Sequence, residues 1–117
     1  MFTLSLGRIF YLNLKNIFNH ILSIKANWFI GLSKLEDFNL SYNNLRKLKS
    51  CDFMHLENLQ LLDLTMCSIN SCHKDSFFGL SNLRDLSLTQ NKIATFEKGT
   101  FDCVTKLVSL NVSLSNQ

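Results

Sequence analysis

Phenylalanine recurs at Phe29, Phe53, Phe77 and Phe101 with a constant step of 24, and the leucines around it keep the same step. A period of roughly 20 to 50 residues is the mark of stacked repeats, because each unit must lend its apolar face to the next. Counted from its first leucine, one unit carries apolar residues at Leu35, Phe38, Leu40, Leu45, Leu48, Phe53 and Leu56. The next carries Leu59, Leu62, Leu64, Ile69, Cys72, Phe77 and Leu80, and the third Leu83, Leu86, Leu88, Ile93, Phe96, Phe101 and Val104. Leu107, Leu110 and Val112 begin a fourth. Every slot is apolar if Cys72 counts as a small hydrophobe, in a chain only 46% hydrophobic, so the pattern is positional and not compositional.

Within each unit the early apolar positions alternate with polar ones, the period of a half-buried strand. A constant step makes successive strands parallel. The backbone entropy lost in ordering one unit outweighs the burial of its own apolar side chains, so stacking has to supply the rest. A further column reads Asn19, Asn43, Cys67, Asn91 and Ser115. A buried amide donates and accepts at once and can satisfy backbone groups as the chain leaves the strand. The weak S–H of Cys67 and the shorter Ser115 predict weaker rungs, with a soft spot near Cys67.

These residues resemble the leucine-rich repeat family, whose unit has a short L-x-L strand, an asparagine three residues later, an apolar turn and a late phenylalanine. The pattern reads L-E-D-F-N-L-S-Y-N-N-L from Leu35 and L-R-D-L-S-L-T-Q-N-K-I from Leu83. The likeness is close over residues 35–114 and looser over 11–34. It implies an α/β solenoid, a right-handed coil with a short parallel β-sheet on the concave face and irregular or short helical turns on the convex face. The expected organisation is a single array over 1–117. Its repeats are irregular in 1–34, regular at 35–58, 59–82 and 83–106, and truncated at 107–117.

In the first unit, a start at Tyr11 keeps Asn19 in its column but puts Asn16 in an apolar slot. Pairing Leu12 with Leu14 repairs that slot and breaks the asparagine column, so a small insertion is expected. Leu4 and Leu6 are a further candidate strand. The first residues do not read as a signal peptide: no basic region leads, Arg8 interrupts the apolar run and no clear cleavage site follows. No run reaches the length of a membrane span. With an open last unit and no cysteine-rich cap, the chain reads as a fragment of a longer protein or a truncated product.

Cys51, Cys67, Cys72 and Cys103 do not frame the fold, and four independent thiols are expected, with a Cys51–Cys72 bridge as the alternative. Cys67, Cys72 and His73 lack the second ligand pair of a zinc site. Without a carboxylate pair, phosphate loop or nucleophile motif, no catalytic residue, metal or cofactor is assigned and no enzyme is expected.

Function then falls to the surface. The outward strand positions read Asp37, Leu61, Asp85, Ser109 and Asn39, Asp63, Ser87, Asn111, a small, polar and mildly acidic concave face. Lysines and arginines lie mainly in the turns, and the formal charge is only +3, which disfavours nucleic acid on that face. The seventh position reads Phe18, Tyr42, Met66, Gln90 and Leu114. Its apolar members, Phe18, Tyr42, Met66 and Leu114, are candidate partner-binding residues, with packing against the turn as the plain alternative. Asn39 and Asn111 head N-x-S sequons and are candidate glycosylation sites, although the repeat itself tends to write L-N-L-S.

The unit length and late phenylalanine resemble the extracellular animal class, and most of all a Toll-like receptor ectodomain. That resemblance implies a cell-surface or extracellular module recognising a protein or microbial-pattern ligand, with receptor dimerisation in the full-length protein. A matrix or adhesion leucine-rich repeat protein, or an intracellular scaffold, are the alternatives. Replacing Phe77 by alanine should cost ~3 to 5 kcal/mol by opening a cavity in the shared interior; a thermal melt unchanged by Phe77→Ala would refute the buried spine.

Overall fold

The computed structural model describes residues 8–16 and 22–114. Five strands form one parallel sheet: β1 (Tyr11–Asn13), β2 (Asp37–Asn39), β4 (Leu61–Asp63), β6 (Asp85–Leu88) and β7 (Ser109–Val112), in spatial order β1-β2-β4-β6-β7. Two shorter strands, β3 (Lys47–Leu48) and β5 (Ser71–Cys72), pair in parallel on the descending side of the coil. The remaining connections are turns, with one short 3-10 helix at Ala26–Phe29. This is the leucine-rich solenoid architecture that the period implies, with very little helix.

The register makes the repeat explicit. Asp37 lies opposite Leu61, Leu61 opposite Asp85, and Asp85 opposite Ser109, each one full repeat further along the chain. The ladder continues past the strands: Leu40 N donates to Asp63 O at 2.9 Å and Leu64 N to Ser87 O at 2.9 Å. The first unit breaks the step. Tyr11 pairs with Asp37 and Asn13 with Asn39, and Leu14 N donates to Asn39 O at 2.7 Å, so this unit is longer than those that follow. Phe29 nevertheless stacks on Phe53 at the regular step, so the insertion falls between Asn16 and Phe29. Leu12 and Leu14 are thus the inward strand pair. The expected strand at Leu4 and Leu6 lies outside the described residues, as do Asn19 and Ser115.

The interior is one continuous apolar cluster running along the coil axis. Phe29, Phe53 and Phe77 are fully buried. Phe77 stacks on Phe101 with ring centroids 5.6 Å apart, and Phe29 on Phe53 at 6.3 Å. Burial relaxes in the last turn. Phe96, Phe101, Leu107 and Val112 are only partly buried and Leu110 is exposed, although all sit in inward slots. β7 has a neighbour on one side only, β6, so the last turn's apolar slots are covered from one side.

Asn91 shows what the asparagine column does. Its Nδ2 donates to Leu64 O at 2.9 Å and Leu88 O at 3.0 Å, while its Oδ1 accepts from Cys67 N at 2.9 Å and Ile69 N at 3.0 Å. One side chain therefore ties two successive turns. Asn43 makes the donor half, to Leu14 O at 3.0 Å and Leu40 O at 2.8 Å, and its Oδ1 has no partner among the described residues. Cys67 replaces this set with a weak Sγ donation to Leu40 O at 3.1 Å. The rung at Cys67 is therefore the thinner one, as its sulfur predicts.

Glycine is required at one turn. Gly79 has φ +95, and a Cβ there would stand 2.6 Å from the Met54 Cα and 2.6 Å from its carbonyl oxygen. Both obstacles are backbone of the preceding unit and cannot rotate away. Gly79→Ala is expected to destabilise by at least ~1 to 3 kcal/mol; a urea midpoint matching that of the parent chain would show that the turns can separate here without cost.

Candidate functional site

One set of side chains that packing leaves free lies on the concave sheet and along its rim. Strand pairing puts Asp37, Leu61, Asp85 and Ser109 in one row, and Asn39, Asp63, Ser87 and Asn111 in the next. The second row has a structural task as well. Asn13 Oδ1 accepts from Lys15 N at 2.9 Å, Asn39 Oδ1 from Ser41 N at 2.9 Å, and Asp63 Oδ1 from Thr65 N at 3.0 Å. A short oxygen-bearing side chain here closes a local turn with the backbone two residues on.

The turn delivers the chain into a left-handed residue. Asn16 (φ 48), Tyr42 (φ 62), Met66 (φ 51) and Gln90 (φ 56) share this conformation, and Tyr42 N and Met66 N donate across to Thr65 O and Thr89 O. The longer first step places Asn16 in this column, and Phe18 lies outside the described residues. Tyr42 is 42% exposed, Met66 41% and Leu114 52%, so these three candidate partner-binding residues stand at the surface. The Lys15 ammonium sits 5.0 Å from the centre of the Tyr42 ring, a cation–π contact on the same rim.

The two candidate glycosylation sites differ. Asn39 is half-buried, its Oδ1 taken by both Ser41 N and Ser41 Oγ, the latter at 2.7 Å, and Ser41 itself is buried. Asn111 and Ser113 are exposed at the end of the sheet. Any glycan at either position would cover the concave face.

Three carboxylates gather on the concave sheet. Asp37, Asp63 and Asp85 share the concave sheet, and burial followed by the neighbouring Asp63 carboxylate raises the Asp37 carboxyl above its usual range. The two ion pairs among the described residues, Lys49–Asp52 and His73–Asp75, lie off this sheet. On the descending flank, three of the twelve lysines and arginines, Arg46, Lys47 and Lys49, line a hollow of about 390 Å3 beside β3. On the concave side a hollow of about 290 Å3 opens over Leu61, Asp63, Asp85, Ser87, Ser109 and Asn111.

All four cysteines are free thiols. Burial pushes Cys67 up to about 11, against the opposing pull of the Asn43 and Tyr42 backbone N–H groups, and burial pushes Cys72 up to about 12. Neither is an activated nucleophile, since reactivity follows the thiolate. Among the described residues, no group of three His, Cys, Asp or Glu side chains is placed to hold a metal ion. Among those residues, too, no helix is long and apolar enough to cross a membrane.

The leucine rich repeat family model matches residues 8–69 and 58–117. No curated protein matches the chain. Among solved structures, the Toll–Spatzle complex of Drosophila superposes with a TM-score of 0.73 at 25% identity, over 80% of this chain and 12% of that one. The TLR13–ssRNA13 complex superposes with a TM-score of 0.75 at 29% identity, over 82% of this chain and 14% of that one. The chain thus spans between 12% and 14% of the length of these two structures.

A raised thiol pKa holds stability in place below the unfolded value of 9.0 and loses it as pH rises through the folded values of about 11 and 12. The urea midpoint should therefore fall above pH 9, and fall less steeply in Cys72→Val, where one of the two titrations is gone. Parallel pH profiles for both chains would contradict the burial of that thiol.

Proposed function

The chain belongs to the leucine-rich repeat family, and from that premise we propose that it is a recognition segment of an extracellular innate-immune receptor that takes a protein or microbial-pattern ligand. One observation carries this reading: Tyr42 and Met66 stand exposed at left-handed backbone positions. Asn, Asp and Gly are the residues that tolerate this conformation well. A tyrosine and a methionine there serve neither the backbone nor the core, and both are residue types enriched where proteins meet. Leu114 extends the same rim at the far end of the sheet.

The solved relatives support the receptor part of the reading. Toll is described with Spatzle as a hub in Drosophila development and innate immunity, and TLR13 was solved with ssRNA13. The concave carboxylates of this chain favour a protein partner over a polyanion on that face, because clustered like charge repels phosphate. Glycans at Asn39 and Asn111, in a secreted product, would steer ligands toward the rim carrying Tyr42 and Met66.

The test is a binding panel with the full chain immobilised: Spatzle protein, peptidoglycan fragments, lipoteichoic acid and single-stranded RNA. Saturable binding to at least one probe, weakened about tenfold or more in the Tyr42→Ser, Met66→Ser double variant, is the expected outcome; truncating interface anchors commonly has effects of this size. No binding by the parent chain, or equal binding by the double variant, would overturn the reading.

A further inference from the structure

The concave hollow has a chemistry more specific than an acidic surface. Of the three leucines that line it, Leu62 and Leu86 are buried, and the register places Leu61 in the outward row between Asp37 and Asp85. Neighbouring strands stand about 4.8 Å apart, so the carboxylates of Asp37 and Asp85 flank the Leu61 side chain on both sides. Asp63 lies two residues further along the same strand as Leu61 and faces the same side of the sheet. Ser87, Ser109 and Asn111 complete the wall, and none of them carries charge.

Two acids, Asp63 and Asp85, thus line the hollow with Leu61, and Asp37 flanks it from the next strand. Among the described residues, no ion pair is formed by any of the three. Burial, and then the Asp63 carboxylate, raise the Asp37 carboxyl above its usual range. A side chain that offers a hydrocarbon stem ending in a cation would answer both features together: the stem covers Leu61 while the cation sits among the carboxylates. Lysine and arginine have that form, with an apolar stem that packs on apolar surface and a charged head. A free metal ion or a small inorganic cation would leave Leu61 uncovered.

Resting on the recognition reading above, we infer that the hollow over Leu61, Asp63 and Asp85 is a docking subsite for a lysine or arginine side chain presented by a basic segment of a protein partner. The contact is charge-complementary, so it accelerates encounter and sets register on the sheet. It is separate from the rim at Tyr42 and Met66, which contributes apolar contact.

The probe is an acetylated, amidated pentalysine peptide, followed by amide chemical shifts of the isotope-labelled full chain. Saturable shifts are expected in the amides of 61–63, 85–87 and 109–111. They should weaken about threefold to fivefold in Asp63→Asn with Asp85→Asn, the scale of two exposed charge pairs. They should vanish with the same peptide acetylated on every side chain, and shrink in about 0.5 M salt. Asparagine already occupies the equivalent of position 63 at Asn39 and Asn111, so the double variant keeps the turn-closing oxygen. Asp85→Asn alone, smaller in effect, serves as a second variant that touches no turn. Shifts scattered over exposed acids elsewhere, or an affinity unchanged by the substitutions or by peptide acetylation, would overturn the inference. That failure would leave the panel result at Tyr42 and Met66 standing, whereas failure of the panel would remove the recognition reading on which the subsite rests.

Discussion

Everything in this fold depends on parallel pairing at a constant step. A strand of three or four residues cannot persist alone in water, and neither can the turn that leaves it. Each becomes stable because the next unit presents the same groups at the same height. Leu40 N meets Asp63 O, Leu64 N meets Ser87 O, and Asn91 reaches both into its own turn and into the one before. Stacked phenylalanines fill the space that this spacing leaves on the far side of the coil. Where the Asn is absent, at Cys67, a thiol takes its place beside the backbone bonds from Tyr42 N to Thr65 O and Leu45 N to Cys67 O.

The same constraint separates surface from scaffold. Fourth-position oxygens close the turn, as Asn13, Asn39 and Asp63 do, so their chemistry is partly consumed by the fold. Second-position side chains carry no such duty, and there the chain places Asp37, Leu61 and Asp85 side by side. The residue after the turn is forced into a left-handed conformation whatever its identity, which is why Gln90 and Asn16 adopt it along with Tyr42 and Met66. The left-handed turn therefore does not by itself fix which residue stands in that column. An acidic face, an apolar rim and a basic flank around Arg46 and Lys47 give the coil three chemically distinct sides.

Much of this was legible from spacing. The inward slots from Leu35 to Val104, the parallel strands and the thinner rung at Cys67 follow from a constant period and from the donor and acceptor inventory of each side chain. The first unit was legible only as an irregularity, because two lines of spacing conflict there: the strand pair Leu12 and Leu14 keeps one phase and Phe29 another. Pairing resolved it with a longer first step, which moved the rim column to Asn16. The open last unit was legible too, and the structure shows what it costs: Leu110 holds the same repeat slot as Leu86 yet is exposed, because only its neighbours differ.

What the amino-acid order determined by itself was the coil: a repeating apolar code admits one way of burying itself, so architecture is a one-dimensional property here. What the tertiary structure alone decided was which distant residues share a patch. Leu61 and Asp85 lie a full repeat apart in the chain and are direct neighbours on the sheet. Charge and apolar surface add up across strands and not along them, and that addition exists only once the turns are stacked.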